Sequence, residues 1–343
     1  MERHGSAHKR YGRAALSRRS QRTAPGSPGF VARALAKRPG PRDTEEAMPT
    51  VLDDLIQLLA LERIEENLFR GQSQDLGWGT VFGGQVLGQA LSAAAQTVPA
   101  SRPVHSLHAY FLRPGRVDKP IVYDVDRIRD GGSFTTRRIV AIQAGVPIFN
   151  MAASFHQAEE GFDHADPMPE APPPESAPTD QELWARQIDR LPPFARDRAV
   201  AERPFELRMV DPDADLFRPE KKRARRLVWL RTKAKLPDDQ ALHRYLLAWV
   251  SDHSLVGTSL FPHGVSWLTR GMQVASLDHV MWFHRPLRVD EWLLYVIDSP
   301  SAHGARGFAR GQFFDAAGHL VASVAQEGLI RMKRPVAPQP PAE

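Results

Sequence analysis

Gly84-Gln-Val-Leu-Gly-Gln-Ala-Leu-Ser-Ala-Ala-Ala-Gln-Thr-Val98 carries no charged residue on any face. A helix that is apolar or small all round is a buried one, and its glycines and alanines let surrounding backbone approach closely. Strand-like alternation follows it. Pro103 to Arg113 ends in Arg113-Pro114, and further runs cover Ile121–Arg129, Ser133–Gln143 and Pro147–Gln157. Turns at Asp130-Gly131-Gly132 and Ala144-Gly145 separate them.

The second half repeats the plan. Leu236-Pro-Asp-Asp239 is a helix start with acids at the positive end of the helix dipole. The helix runs from Gln240 to about Ser251 on an apolar stripe of Leu242, Tyr245, Leu246, Trp249 and Val250. Strands follow at Gln273–His284, Glu291–Asp298, Ala305–Phe314 and His319–Glu327. The halves share words: Val104-His-Ser-Leu against Val274-Ala-Ser-Leu, and Ser154-Phe-His-Gln157 against Ser323-Val-Ala-Gln326. One helix and four antiparallel strands, twice, predicts an α+β fold in which a curved sheet wraps a central helix in each half: a double hotdog.

Around these modules the composition shifts. Residues 1–47, rich in Arg, Ser, Gly and Pro, are expected to be a disordered basic tail. A transit peptide is one reading of the tail; an upstream start codon, with Met48 opening the working protein, is the preferred one. The first module spans 48–157 and the second 201–333. Residues 158–200 are expected to be a Pro-rich linker, with six prolines between 158 and 180, and 334–343 a loose tail. Residues 1–42 hold 11 of the 45 Lys and Arg and one acid, leaving 34 basic against 39 acidic residues beyond them. The basic charge therefore belongs to the tail, and no nucleic-acid partner is expected for the body. There is no Cys, which excludes disulfides, thiolate nucleophiles and Cys-ligated metals and fits a cytoplasmic protein. No run reaches the ~18 apolar residues of a membrane span, and no apolar segment follows the basic N-terminus as a secretory signal requires.

Common catalytic motifs are missing. Gly257-Thr-Ser259 and Gly264-Val-Ser266 lack the closing glycine of a nucleophile elbow, and the glycine patterns that cradle phosphates or dinucleotides do not occur. His279 and His284 sit five apart on a strand and face opposite ways, so they form no metal pair and read as ordinary packed or solvated histidines. No metal or cofactor is expected.

Several long words resemble the acyl-CoA thioesterase II (TesB-type) family. They are Val81-Phe-Gly-Gly-Gln-Val-Leu-Gly-Gln-Ala-Leu91, His105-Ser-Leu-His-Ala-Tyr-Phe-Leu-Arg-Pro-Gly115 and Leu277-Asp-His-Val-Met-Trp-Phe-His-Arg-Pro286, with Leu236–Asp239, Ala305–Arg310 and Val321–Gly328. The resemblance covers roughly residues 50–333 and implies metal-free hydrolysis of acyl-CoA thioesters. It also implies a catalytic set of Asp252, Ser276 and Gln326 holding a water. Ser276 stands where the family often has Thr, and the run after Asp252, His-Ser-Leu-Val-Gly257, is less apolar than expected for the acyl channel. The end of the first helix has no carboxylate, while hydroxyl and amide echoes remain at Ser106 and Gln157, so one active site per chain is expected. Gly83, Gly84 and Gln85 are candidates for an oxyanion site at a helix start. Arg306 and Arg310 are candidates for the phosphates of CoA; Lys221-Lys-Arg-Ala-Arg-Arg226 is a further basic run, whose preferred reading is a solvated loop. A homo-oligomer is expected, since double-hotdog chains commonly pair through sheet edges or faces.

Two rivals stand beside hydrolysis. One is a non-catalytic acyl-CoA-binding protein. The other is a hydratase or dehydratase on the same fold, which needs an Asp/His pair in one site; Asp278 and His279, adjacent on a strand, face apart. If the tail were a nucleic-acid arm, the chain would bind nucleic acid with a steep salt dependence lost on deleting residues 1–47. The expected outcome is no such binding, measured for the whole chain and the deletion at 50 and 200 mM salt.

Overall fold

The computed structural model describes residues 50–333; the expected tails at 1–47 and 334–343, and the start at Met48, lie outside them. Helix α1, Val51–Leu59, opens on a capping box in which Thr50 Oγ1 accepts from Asp53 N–H and the Asp53 carboxylate accepts from Thr50 N–H. Strands β1 (Glu62–Glu65) and β2 (Leu68–Gly71) follow, then α2, Gly83–Ala95. The first half continues with β3 (Val104–Phe111), β4 (Ile121–Asp130), β5 (Phe134–Gln143) and β6 (Val146–His156). The second has β7 (Phe205–Met209), β8 (Arg225–Thr232), helix Gln240–Ser251, β9 (Met272–Ser276), β10 (Asp278–Phe283), β11 (Leu293–His303), β12 (Arg306–Phe314) and β13 (Leu320–Met332).

All strands join one antiparallel sheet. Its order is β1-β2-β4-β5-β6-β3 in the first half, mirrored by β7-β8-β11-β12-β13-β10 in the second, with β9 also pairing β13. The halves meet where β3 pairs β10, with Ala109 opposite His279. This is the double hotdog that the helix-and-strand pattern predicts. Both central helices lie inside a single apolar core that runs through both halves, from Phe69, Tyr123 and Phe149 to Leu246, Leu247 and Phe313. No helix among the described residues is long and apolar enough to cross a membrane.

The structure adds four strands absent from the sequence reading: β1, β2, β7 and β8. It also changes the segment between the modules. Residues 158–173 have neither helix nor strand, but Asp180–Ala185 (α3) and Pro193–Val200 (α4) are helices, α3 opening on a Thr179–Glu182 capping box. The Lys221–Arg226 run is likewise no free loop: Arg225 and Arg226 belong to β8, Lys222 pairs with Asp213 at 2.9 Å, and Arg226 stacks on Phe261.

The central helix of the second half, α5 (Gln240–Ser251), has the bounds its sequence predicts, capped by the Asp239 carboxylate on Ala241 and Leu242 N–H. From His243 to Ser251 it is buried on every face. In α2 the buried amides Gln85 and Gln89 hold the Gln72–Gln74 backbone: Gln85 Nε2 and Gln89 Nε2 both donate to Gln72 O at 2.9 Å. Tyr123 donates to Gln89 Oε1 at 2.7 Å. The two central helices cross with backbones almost touching, since a Cβ on Gly84 would lie 2.1 Å from Trp249 O. In an exposed helix Gly→Ala gains about 1 kcal/mol; here the contact reverses the sign. Gly84→Ala is expected to destabilise the fold by about 1–3 kcal/mol, as overpacking does, read as a lower denaturation midpoint with unchanged slope.

Candidate active site

Asp252 is the C-cap of α5, where the negative end of a helix dipole disfavours a carboxylate. The crossing of the helices offsets this by bringing the N-terminus of α2 to the same point. A Cβ on Gly83 would lie 2.6 Å from Asp252 Oδ2, so glycine alone leaves room for the carboxylate there. Phe82, the N-cap of α2, supplies no side-chain cap, and the N–H groups of Gly83 and Gly84 have no acceptor among the described residues. They are free first-turn donors beside an acid.

The structure brings Asp252, Ser276 and Gln326 together. Ser276 Oγ donates to Asp252 Oδ1 at 3.1 Å, and Gln326 Nε2 donates to the same oxygen at 2.7 Å. Ser276 is the last residue of β9 and Gln326 faces inward from β13 at 1% exposure. The Asp252 side chain itself is 5% exposed. Gln326 Oε1 is buried and has no partner among the described residues.

One residue of the site was missed in the sequence. His279, wholly buried on β10, has Nδ1 3.1 Å from Gln326 Nε2 and 4.0 Å from Asp252 Oδ1, and Nε2 2.9 Å from Ser251 Oγ. It is packed, as expected, but it is packed against the catalytic candidates. Burial pushes its imidazole down to about 4, with the Asp252 charge opposing, so it is neutral near pH 7. The reason for setting aside a hydratase is thereby corrected: an Asp/His pair does meet in this site, as Asp252 and His279. Asp278, by contrast, faces away and accepts from Glu327 N–H at 2.6 Å.

Other candidates are not brought to Asp252. Arg306 and Arg310 alternate along β12 with inward-facing Gly307, Ala309 and Gly311, so they project from the solvent face, across the sheet from Gln326. They are ion-paired there, to Glu327 and Asp298. The Gln85 side chain is engaged with the Gln72–Gln74 backbone. A cavity of about 1010 Å³ opens against the same end of α5, lined by Leu55, Leu76, Trp78, Phe205, Trp249 and His253, with the Arg198 guanidinium stacked on Trp78.

The first half lacks the matching set. In β6 Ile148 O takes N–H groups of both Leu112 and Arg113, and in β13 Val321 O takes those of His284 and Arg285. Aligned on these paired bulges, Ala153 stands where Gln326 stands, Leu107 where His279 does, and Arg137 where the second half has Ala309. Arg137, 1% exposed, fills the space at the end of α2 by donating to Thr97 Oγ1 at 2.8 Å, Thr97 O at 3.1 Å and Asp130 Oδ1 at 2.6 Å. The echoes at Ser106 and Gln157 are therefore out of register: Ser106 lies opposite Trp282 in the seam, and Gln157 follows the end of β6.

With this geometry in view, relatives fall into place. Residues 194–329 match the family model described as acyl-CoA thioesterase, and 73–156 match its N-terminal domain. The chain is 43% identical over 287 residues to acyl-CoA thioesterase 2 of Haemophilus influenzae, covering 83% of this chain and 99% of that one. It is 39% identical over 284 residues to human acyl-coenzyme A thioesterase 8, covering 80% and 88%. The crystal structure of an acyl-CoA thioesterase II, TesB2, from Mycobacterium marinum superposes with a TM-score of 0.67 at 42% identity, over 81% of this chain and 98% of that one. The chain belongs to the acyl-CoA thioesterase family, with two hotdog modules in one polypeptide.

Proposed function

We propose that the chain hydrolyses acyl-CoA to free acid and CoA by direct attack of water, with Asp252 as general base and no acyl-enzyme. The observation that carries this reading is the carboxylate held by two donors on Oδ1, Ser276 and Gln326, which leaves Oδ2 for a water. Gln326 Oε1, buried without a partner, is a second acceptor for the same water. The water oxygen attacks the thioester carbonyl while its proton passes to Asp252. The carbonyl oxygen becomes an oxyanion beside the free N–H groups of Gly83 and Gly84. Collapse breaks the C–S bond, and the proton on Asp252 goes to the departing thiolate.

The surroundings of the site argue against an acyl-enzyme on Cys or Ser. The chain has no Cys. Ser276 meets a carboxylate and no imidazole, and Ser251, which does meet His279, is wholly buried with its hydroxyl donated to Ala248 O at 2.9 Å. The hydratase reading is weakened by the same contacts. Both nitrogens of His279 are occupied and the ring is sealed from solvent, so it has no free edge for a substrate. We assign the acyl chain to the cavity beside Trp249 and His253, whose walls are largely apolar.

Asp252→Asn is expected to lower kcat by about 10²–10⁴, the worth of general-base help, with retained binding of palmitoyl-CoA. The measurement is thiol release from acyl-CoAs of increasing length; wild-type turnover at no length would leave only a binding protein. Gly84→Pro removes one candidate oxyanion donor and is expected to cost about 10²–10³ in kcat per folded molecule. Turnover that survives in the folded fraction would remove the oxyanion role from α2.

A further inference from the structure

We infer that His279 is a positioning residue: through Nδ1 it fixes which way the Gln326 amide points, and so aims Gln326 Oε1 at the reacting water. The inference rests on the water-attack reading above and concerns a residue that touches neither water nor substrate.

The direction of every proton in the cluster follows from its partners. Ser251 Oγ lies 2.9 Å from both Ala248 O and His279 Nε2; with its one proton given to Ala248 O, it accepts from the ring. His279 Nε2, 2.9 Å away, must carry the ring proton. Nδ1 is then a bare lone pair, and the group facing it at 3.1 Å must be the amide nitrogen of Gln326. The second hydrogen of that nitrogen goes to Asp252 Oδ1 at 2.7 Å. Both amide hydrogens are thus assigned, and Oε1 is left facing away from the ring and the carboxylate. A flipped amide would set its oxygen against the Nδ1 lone pair and the Asp252 charge at once.

Burial keeps this arrangement in one state. A neutral ring, held near 4 by desolvation, does not offer Gln326 a second proton near pH 7. The anchoring continues through Ser251, whose carbonyl accepts from the Tyr295 hydroxyl at 3.0 Å. Helix α5 therefore sets the ring, the ring sets the amide, and the amide sets both Asp252 and the free oxygen. The first half has Leu107 and Ala153 at the matching positions, so imidazole and amide are absent there together.

The ring nitrogens can be replaced one at a time. In His279→Asn the side-chain amide reaches the place of Nδ1 and can present an acceptor to Gln326. In His279→Gln it reaches the place of Nε2, keeps Ser251 and leaves Gln326 unheld. The expected result with an acyl-CoA in a thiol-release assay is a kcat within about fivefold of wild type for His279→Asn. For His279→Gln a loss of about thirtyfold or more is expected, with KM changed less than threefold. In a Gln326→Ala background His279→Gln should cost less than a further twofold, because the residue acts through Gln326. Equal losses in the two His279 variants, or a full additional loss in the Gln326→Ala background, would mean the ring is merely structural and overturn the inference. Wild-type kcat in Gln326→Ala alone would overturn the water-holding reading of the site, and this inference with it. Thermal melts of each variant keep a folding defect apart from both results.

Discussion

The contact between two helix backbones is what the rest of this molecule is arranged around. With glycine at 83 and 84, the N-terminus of α2 lies against the last turn of α5, and a Cβ at either position would meet Asp252 Oδ2 or Trp249 O. That approach does three things. It lets one sheet wrap both helices with a shared core. It places an acid at a helix C-terminus without isolating the charge, because the opposite pole of a second helix faces it. And it leaves uncapped N–H groups beside the carboxylate, in a place where side chains cannot crowd them.

The two halves share one plan, and they differ by exchanging polar groups in matched pairs. Where β12 and β13 offer Ala309 and Gln326, β5 and β6 offer Arg137 and Ala153. The small residue is on the neighbouring strand in each case, so each half accommodates one long polar side chain at the end of its helix. In the second half that side chain is an amide which meets a carboxylate, and its oxygen is buried without a hydrogen-bond partner among the described residues. In the first it is a guanidinium whose donors are taken up by Thr97 and Asp130. A buried cation is tolerated where its hydrogen bonds are satisfied, as they are here.

Much of this was legible in the sequence, for reasons that can be given. The bounds of α5 could be read because Asp239 is a strong cap and Leu-Pro precedes it. The long central strands showed themselves by alternation. β1 and β2, four residues each, are too short to show a period. β8 reads as a charged run followed by Leu-Val-Trp-Leu, so its basic start masked a strand. The helices of 180–200 were hidden by the prolines before them, although Thr179 with Glu182 spelled a capping box. The alternation of β12 already puts Arg306 and Arg310 on one strand face and Ala309 on the other.

His279 shows where sequence reasoning stops. A strand histidine has two faces to choose from, and alternation separates His279 from Asp278 and His284 without saying what lies beneath it. Its partners come from α5 and β13, 28 and 47 residues away in the chain. Asp252 is singled out in the sequence because a family motif surrounds it. His279 is not singled out in this way, for a buried neutral imidazole is an ordinary core group until the proton on Ser251 is followed. A group that works only by orienting its neighbour leaves its mark in the direction of hydrogen bonds, and that direction exists only once the helix and the two strands are assembled.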